Sequence, residues 1–329
     1  MTTNTYACRN QFGRIFGYLL CIFFVPGLFL FVGPLYGKDI NSGAGTSAFA
    51  FLKINSGARP VAMGGAFTGV ADDENSLYYN PAGIASMDRN GVIFGYHNYF
   101  VDLQSGTVGY IHQRREKHYF AGSINYLNYG SFTQTDNLGN VTGEFGGGDL
   151  QFAFTFAVRH NERFSFGATG KLIYEKIQEF SATGVALDLG VRYTSNRGRM
   201  TAGAMLQNLG AQLSNFTDAD KDGLPTTFRL GAAGRPRGLP ILFAADVIVP
   251  TDNDMSIAIG GEYYEFKPLY LRIGWNSFGS NYRAADSDNN TAGISMGIGI
   301  DWRNKQLSYA FSPGAELGDS HRITLTGGI

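Results

Sequence analysis

Charge is scarce in this chain: Asp, Glu, Lys and Arg make up 16% of its 329 residues, against about 25% in an average soluble domain. The two signs nearly cancel, with 26 Lys and Arg facing 27 Asp and Glu, so no strong field points to nucleic acid. Cysteine is scarcer still. Cys8 and Cys21 are the only two, too few for a disulfide scaffold. Beyond residue 33 no apolar run is long enough to cross a bilayer as a helix, which excludes a polytopic helical membrane protein. In excess are glycine, with 45 residues, and aromatics, at 14%. Many glycines and aromatics, little charge and no spanning helices leave a β-rich protein.

The N-terminus reads as an address. Residues 15–33 carry no charge and follow Arg9 and Arg14, the positive region and apolar core of an export signal. Pro26 and Gly27 interrupt the run, which disfavours an uncleaved anchor helix, and Leu35-Tyr36-Gly37 is a tolerable cleavage site. The expected organisation is a signal peptide over 1–37, a distinct segment over 38–89 and a β-domain over 90–329. Both cysteines leave with the signal, so the mature chain would hold no thiol nucleophile and no thiolate metal site.

From Asn90 onward the hydrophobic period is two. Ile294, Met296, Ile298, Ile300 and Trp302 alternate with Gly293, Ser295, Gly297, Gly299 and Asp301. Fourteen such segments are expected: 90–100, 103–114, 117–130, 149–160, 163–177, 181–195, 198–209, 224–235, 239–249, 254–265, 268–278, 290–303, 305–313 and 319–329. Each has the length a tilted strand needs to cross a bilayer. A soluble sandwich also alternates, but it wets its polar face with many charges. Here Lys171, Glu175, Asp188, Arg192, Arg229, Asp246, Glu262, Arg272 and Asp301 fall in phase with Gly, Ser, Thr and Ala. That pattern suits a barrel with its apolar face in lipid and a small, sparsely charged face in the lumen. The turns agree. Every second connection is short and polar, while three of the others, near 131–148, 210–223 and 279–289, read as long loops. The expectation is an all-β, fourteen-stranded antiparallel transmembrane β-barrel of the cell outer membrane, with a short N-terminal plug segment in the lumen.

Residues 49–87 do not alternate, yet Phe49, Phe51, Leu52, Val61, Met63, Phe67, Leu77, Tyr78 and Tyr79 are too many hydrophobes for a solvated linker. The segment is expected to plug or line the periplasmic mouth, with Asp72 and Asp73 in one polar turn and Asn80-Pro81 in a second. Arg192 and Arg272 are the inward candidates to pair the aspartates. The stretch GARPVAMGGAFTGVADDENSLYYNPAGIA closely resembles the N-terminal signature of the PorV/PorQ family of outer-membrane proteins, related to FadL-type transporters. The resemblance implies a fourteen-stranded barrel with N-terminal residues folded into the lumen. It further implies work with a type IX secretion system on exported cargo or, on the FadL side, passage of hydrophobic molecules through a lateral opening. One departure is the last residue, Ile329, where such barrels usually end on an aromatic.

Other chemistry is suggested only weakly. Gly293-Ile294-Ser295-Met296-Gly297 fits a hydrolase nucleophile pattern, but it sits inside a strand, not at a strand-to-helix elbow. No spacing pairs a histidine with a serine. Asp218, Asp220 and Asp222 copy the opening of a calcium loop, but Arg229 stands where the closing Glu belongs. No catalytic residue, cofactor or nucleic-acid partner is implied. The leading expectation is a non-catalytic component of protein secretion or surface attachment, in outer-membrane lipid with secretion-system or cargo proteins as partners. The rival is a passive transporter of a hydrophobic ligand. The lumen charges Lys171, Asp188, Arg192, Asp246, Glu262, Arg272 and Asp301 interrupt an apolar path and favour the first.

Overall fold

A computed structural model describes residues 41–99, 103–216, 221–282, 291–314 and 318–329. The signal segment lies outside the described residues, as do Asp218 and Asp220. Residues 41–236 and 240–329 form one unit, built as a closed antiparallel barrel in which each strand pairs with its neighbours in sequence and the first pairs with the last. The strands are β1 (Gly91–Asn98), β2 (Gln104–Arg114), β3 (His118–Thr135), β4 (Val141–Arg159), β5 (Phe164–Ile177), β6 (Phe180–Thr194) and β7 (Met200–Ser214). They continue with β8 (Thr227–Gly234), β9 (Ile241–Pro250), β10 (Ser256–Tyr263), β11 (Leu269–Asn276), β12 (Ile294–Trp302), β13 (Lys305–Pro313) and β14 (Asp319–Gly328).

Alternation sets the two faces. In β4, Phe152, Phe154 and Phe156 point outward and are exposed, while Gln151, Ala153, Thr155 and Ala157 point inward and are buried. A closed wall has no free edge, so every backbone polar group in the apolar layer can be paired between strands. Ile298 is 43% exposed on the outer face. Ile298→Arg is expected to block assembly, because Arg at the bilayer midplane costs roughly 2–4 kcal/mol on that face. The folded fraction on a heat-modifiability gel checks this, with Ile298→Val expected to assemble normally.

Three strand ends depart from the sequence expectation. The region 131–148, read as a loop, is mostly an extension of β3 and β4, and 210–214, read as loop, completes β7. Cross-strand pairing carries these polar stretches, and the Phe132 and Phe145 rings face each other at 5.4 Å. β3 and β4 therefore run to 18 and 19 residues, well beyond the roughly 9–11 that span a bilayer, and stand above the 8-residue strands β8, β10 and β11. A serine at Gly299, which alternation alone would allow, is also disfavoured. Its added Cβ would press on the Arg272 guanidinium, itself fixed by Glu262, Ser308 and Gln306.

Candidate functional site

The lumen is filled by the segment before the barrel. Residues 41–90 fold into short pieces: 3-10 turns over Ala50–Lys53 and Pro81–Ser86, and two helices, α1 (Ala58–Ala62) and α2 (Ser76–Tyr79). Helices of five and four residues are far below the length that is stable alone in water, so packing against the wall must supply their order. Met63, Phe67, Val70 and Tyr79 are buried against Ala233, Leu242, Ala244 and Ala258 of the wall. Leu77, Ile84 and Met87 are buried against Ile93, Ile111 and Tyr119. Fully burying each large apolar side chain contributes about 1.5–3 kcal/mol.

Glycines make the fit possible. A Cβ at Gly274 would collide with the backbone of Met63 and Gly64, at Gly203 with the carbonyl of Thr68, and at Gly167 with Pro81. The small inner face that alternation revealed is thus the surface against which the segment lies.

The segment crosses the lumen instead of stopping at one mouth. At the loop end, Asn41 Nδ2 donates to Asp254 at 3.0 Å and the Ala48 N–H to the Gly223 carbonyl at 3.0 Å. There Lys53 pairs with Asp252 at 2.6 Å. At the turn end, Arg159 donates to the Ala85 carbonyl at 2.7 Å and pairs with Asp88 at 2.8 Å. The segment expected to plug or line one mouth thus lies in the lumen and also reaches the loop end.

Its central clamp is Arg59, 8% exposed. Nη1 lies 2.7 Å from Asp72 and 2.8 Å from Asp73, while Nε and Nη2 grip both oxygens of Glu262 at 2.8 and 2.9 Å. Arg272 approaches the same Glu262 at 2.7 Å, and Arg235 reaches Asp72 at 3.0 Å. Burial alone would lower the Arg59 pKa, but Asp72, Glu262 and Asp73 outweigh it and hold it well above the ordinary value. For Asp72, burial pushes upward, and Arg59 with Arg235 brings the net shift below the usual carboxylate range.

Both aspartates therefore share a cation of their own segment, Arg59, and Asp72 also takes Arg235 of the wall. Arg192 donates instead to the Val70 carbonyl, at 3.1 and 3.3 Å. The other inward charges divide into two roles. Asp246 accepts from the Phe67 and Thr68 N–H groups at 3.2 and 2.9 Å, and Arg229 donates to the Gly65 carbonyl at 2.6 Å, so both grip the segment. Lys171 with Asp188, at 2.7 Å, and Asp301 with Tyr270, at 2.6 Å, tie wall strands together.

Asn80 is the second fastening. Its Nδ2 donates to the carbonyls of Thr68 and Val191 at 3.1 and 3.0 Å, and its Oδ1 accepts from the Ala82 N–H at 3.1 Å, capping the turn that Pro81 opens. Asn80→Ala is expected to weaken this seat by about 2–4 kcal/mol, one cap plus buried carbonyls left unpaired. Limited proteolysis within 41–90, with the barrel still heat-modifiable, measures it.

The catalytic patterns dissolve into structure. Ser295 of the G-x-S-x-G pattern accepts from the Gly64 N–H at 3.1 Å and anchors the segment. Barrel closure does bring His97 on β1 to 3.0 Å from Ser320 on β14, a pair no sequence spacing shows, and Arg322 donates to the same Ser320 at 2.8 Å. Asp222 contributes its backbone N–H to Gln212 at 3.1 Å. Among the described residues no three His, Cys, Asp or Glu side chains gather as a metal site.

Between residues 51–56 and 77–79 of the segment and the wall lies a cavity of about 180 Å³ lined by Phe51, Leu52, Tyr78, Leu127, Lys171 and Arg229 among others.

Similar proteins share this architecture. The toluene transporter TodX of Pseudomonas putida aligns with a TM-score of 0.55 at 15% identity, over 80% of this chain and 95% of its own. A FadL homologue of Pseudomonas aeruginosa aligns with a TM-score of 0.52 at 12% identity, over 83% and 97%. At such identities the likeness speaks for the fold. A UPF0164 protein of Treponema pallidum (strain Nichols) is 27% identical over 211 residues, 58% of this chain. The chain spans about half the length of that curated relative. The family model described as type IX secretion system protein PorV matches residues 38–236, more than half of the chain. On that match, with the signature segment seated in a fourteen-stranded barrel, the chain belongs to the PorV family of outer-membrane β-barrel proteins.

Proposed function

We propose that this barrel serves protein secretion or surface attachment by engaging protein partners, without catalysis and without conducting solutes through its lumen. The observation that carries this reading is the filled lumen, with an N-terminal segment held at its centre by the buried ion pairs of Arg59 and along its length by glycine-floored packing. A transporter needs a continuous apolar path. The cavity between the segment and the wall, about 180 Å³, is below the roughly 300–1,000 Å³ of pockets that enclose a drug-sized ligand. The raised β3–β4 hairpin adds a surface outside the bilayer, with Leu138 and Val141 exposed at its tip. Membership in a family described by type IX secretion supports the same direction. On this reading the signal over 1–37 is removed, the turn end faces the periplasm, and residues 38–89 act as the plug, with Asp72, Asp73, Asn80 and Pro81 as its fastenings.

The test is affinity purification from solubilised membranes of the native host, comparing the full chain with one in which residues 131–146 are replaced by a short Gly-Ser turn. Secretion components or exported cargo should co-purify with the first and be depleted with the second. Recovery of no protein partner, together with saturable uptake of a hydrophobic solute, would favour the passive transporter instead.

A further inference from the structure

Asp149 on β4 and Glu175 on β5 stand directly opposite one another in the strand register, on the inner face. Like charges in that position repel, and burial in a wall removes the water that would screen them. Asp149 has no exposed surface. Among the described residues neither carboxylate has a cationic partner. Lys171, two inward positions along β5 from Glu175, is taken by Asp188 at 2.7 Å and Asn208 at 2.8 Å.

Among the described residues the pair's hydrogen-bond partner is the Tyr129 hydroxyl, 2.7 Å from Asp149 Oδ2 and 3.4 Å from Glu175 Oε1. One phenolic proton can serve one oxygen well. Asp149 Oδ1 is buried without any hydrogen-bond partner. A buried, unpaired carboxylate oxygen beside a second carboxylate is costly unless something positive completes it.

The local fold is built to bring these three together. The β3–β4 register slips between Asn128 and Ser131, with Gly130 in the left-handed region at φ 75°. Tyr129 lies inward by the alternation of β3, in phase with Ser123, Asn125 and Leu127, and the bulge ends the regular ladder beside it. Gly147 leaves the space for its ring: a Cβ there would fall 2.8 Å from Tyr129 Cδ2. Glu175 lies two residues before the end of β5, close to the loop-end rim, and is partly exposed, so the pair can be reached from the lumen.

From this the geometry points to a divalent-cation site, of the calcium type, formed by Asp149 and Glu175 with the Tyr129 oxygen beside them. All donors are hard oxygens, which suit calcium and magnesium over zinc. Calcium tolerates the irregular set and completes its shell with water, whereas magnesium demands near-octahedral geometry. With two carboxylates only, the affinity expected is that of extracellular modules, Kd about 10⁻⁴–10⁻³ M. The ion would clamp β3, β4 and β5 at the base of the raised hairpin. This inference stands independently of the secretion role.

The test uses the full-length mature chain in detergent, titrated with terbium, whose luminescence Tyr129 would sensitise, and then displaced with calcium. The wild type should give a saturable signal that calcium removes. Asp149→Asn and Glu175→Gln should each weaken binding about tenfold or more. Asp136→Asn, in the exposed β3–β4 turn, should leave it unchanged. Heat-modifiability confirms that each variant is folded, and Glu175→Gln, at the more exposed position, decides if Asp149→Asn is not. Absence of a saturable wild-type signal would overturn the site and leave the pair to share a proton. A signal equally strong in Glu175→Gln would overturn it too, assigning the bound ion to surface carboxylates.

Discussion

Valine at Gly274 is expected to expel the N-terminal segment from the barrel. The added Cβ would meet the backbone of Met63 and Gly64, which cannot swing aside as a flexible side chain can. Overpacking a well-filled core usually costs about 1–3 kcal/mol and sometimes more, and here the obstruction is backbone on both sides. The segment rests on the wall in separate short pieces, so losing its seat at β11 should release it while the strand ladder persists. Valine at Gly170, whose Cβ would meet nothing within 4 Å, is the matched control. Protease digestion of purified barrels separates the two: the Gly274 variant should lose residues 41–90 rapidly, and the Gly170 variant should resemble the wild type. Equal protection of both would mean that the glycine floor does not seat the segment.

Arg59→Met should have the second large effect. It leaves Asp72, Asp73 and Glu262 without their shared cation, and breaking a buried pair from one side costs about 3–5 kcal/mol. Arg272 still holds Glu262 and Arg235 still holds Asp72, so Asp73 should be the most severely stranded. Adding Asp73→Asn should restore part of the loss, because it removes the charge left without a cation. Because the Asp72 carboxyl is held below its ordinary value in the fold, its contribution is complete above a pH of about 4. That contribution should fade as pH falls through the lowered folded value. Thermal release of the segment, followed by proteolysis across that window, should show the pH dependence in the wild type and a weaker one in Arg59→Met, where Arg235 alone still pairs Asp72. A flat wild-type profile would contradict the clamp.

Much of the barrel was legible because its two faces obey different solvents. Alternation of Phe152, Phe154 and Phe156 with Gln151, Ala153 and Thr155 is a local property, visible without any partner. The β3–β4 extension was hidden because its residues pair beyond the bilayer, where neither face must be apolar and Thr, Gly and Asn read as loop. Arg59 is not legible as the clamp from periodicity, because it lies outside the alternating strands, where inward direction can be read. The available signal was compositional: Arg59 is the only cation between Ile54 and Asp88, and a segment buried with Asp72, Asp73 and Glu74 must find positive charge near. That the inner face is small was plain from the sequence. That Gly274 meets Gly64, or His97 meets Ser320, depends on closure of the barrel and on the path of the segment, which join residues some two hundred positions apart.

The conductance of the purified barrel in planar bilayers tests the central claim most directly, comparing the full mature chain with one in which residues 59–83 are replaced by a short Gly-Ser linker. If the N-terminal segment closes the lumen, the full chain should stay electrically silent over a wide voltage range and the replacement should open stable, ohmic channels. Steady conductance through the full chain, equal to that of the replacement, would contradict it.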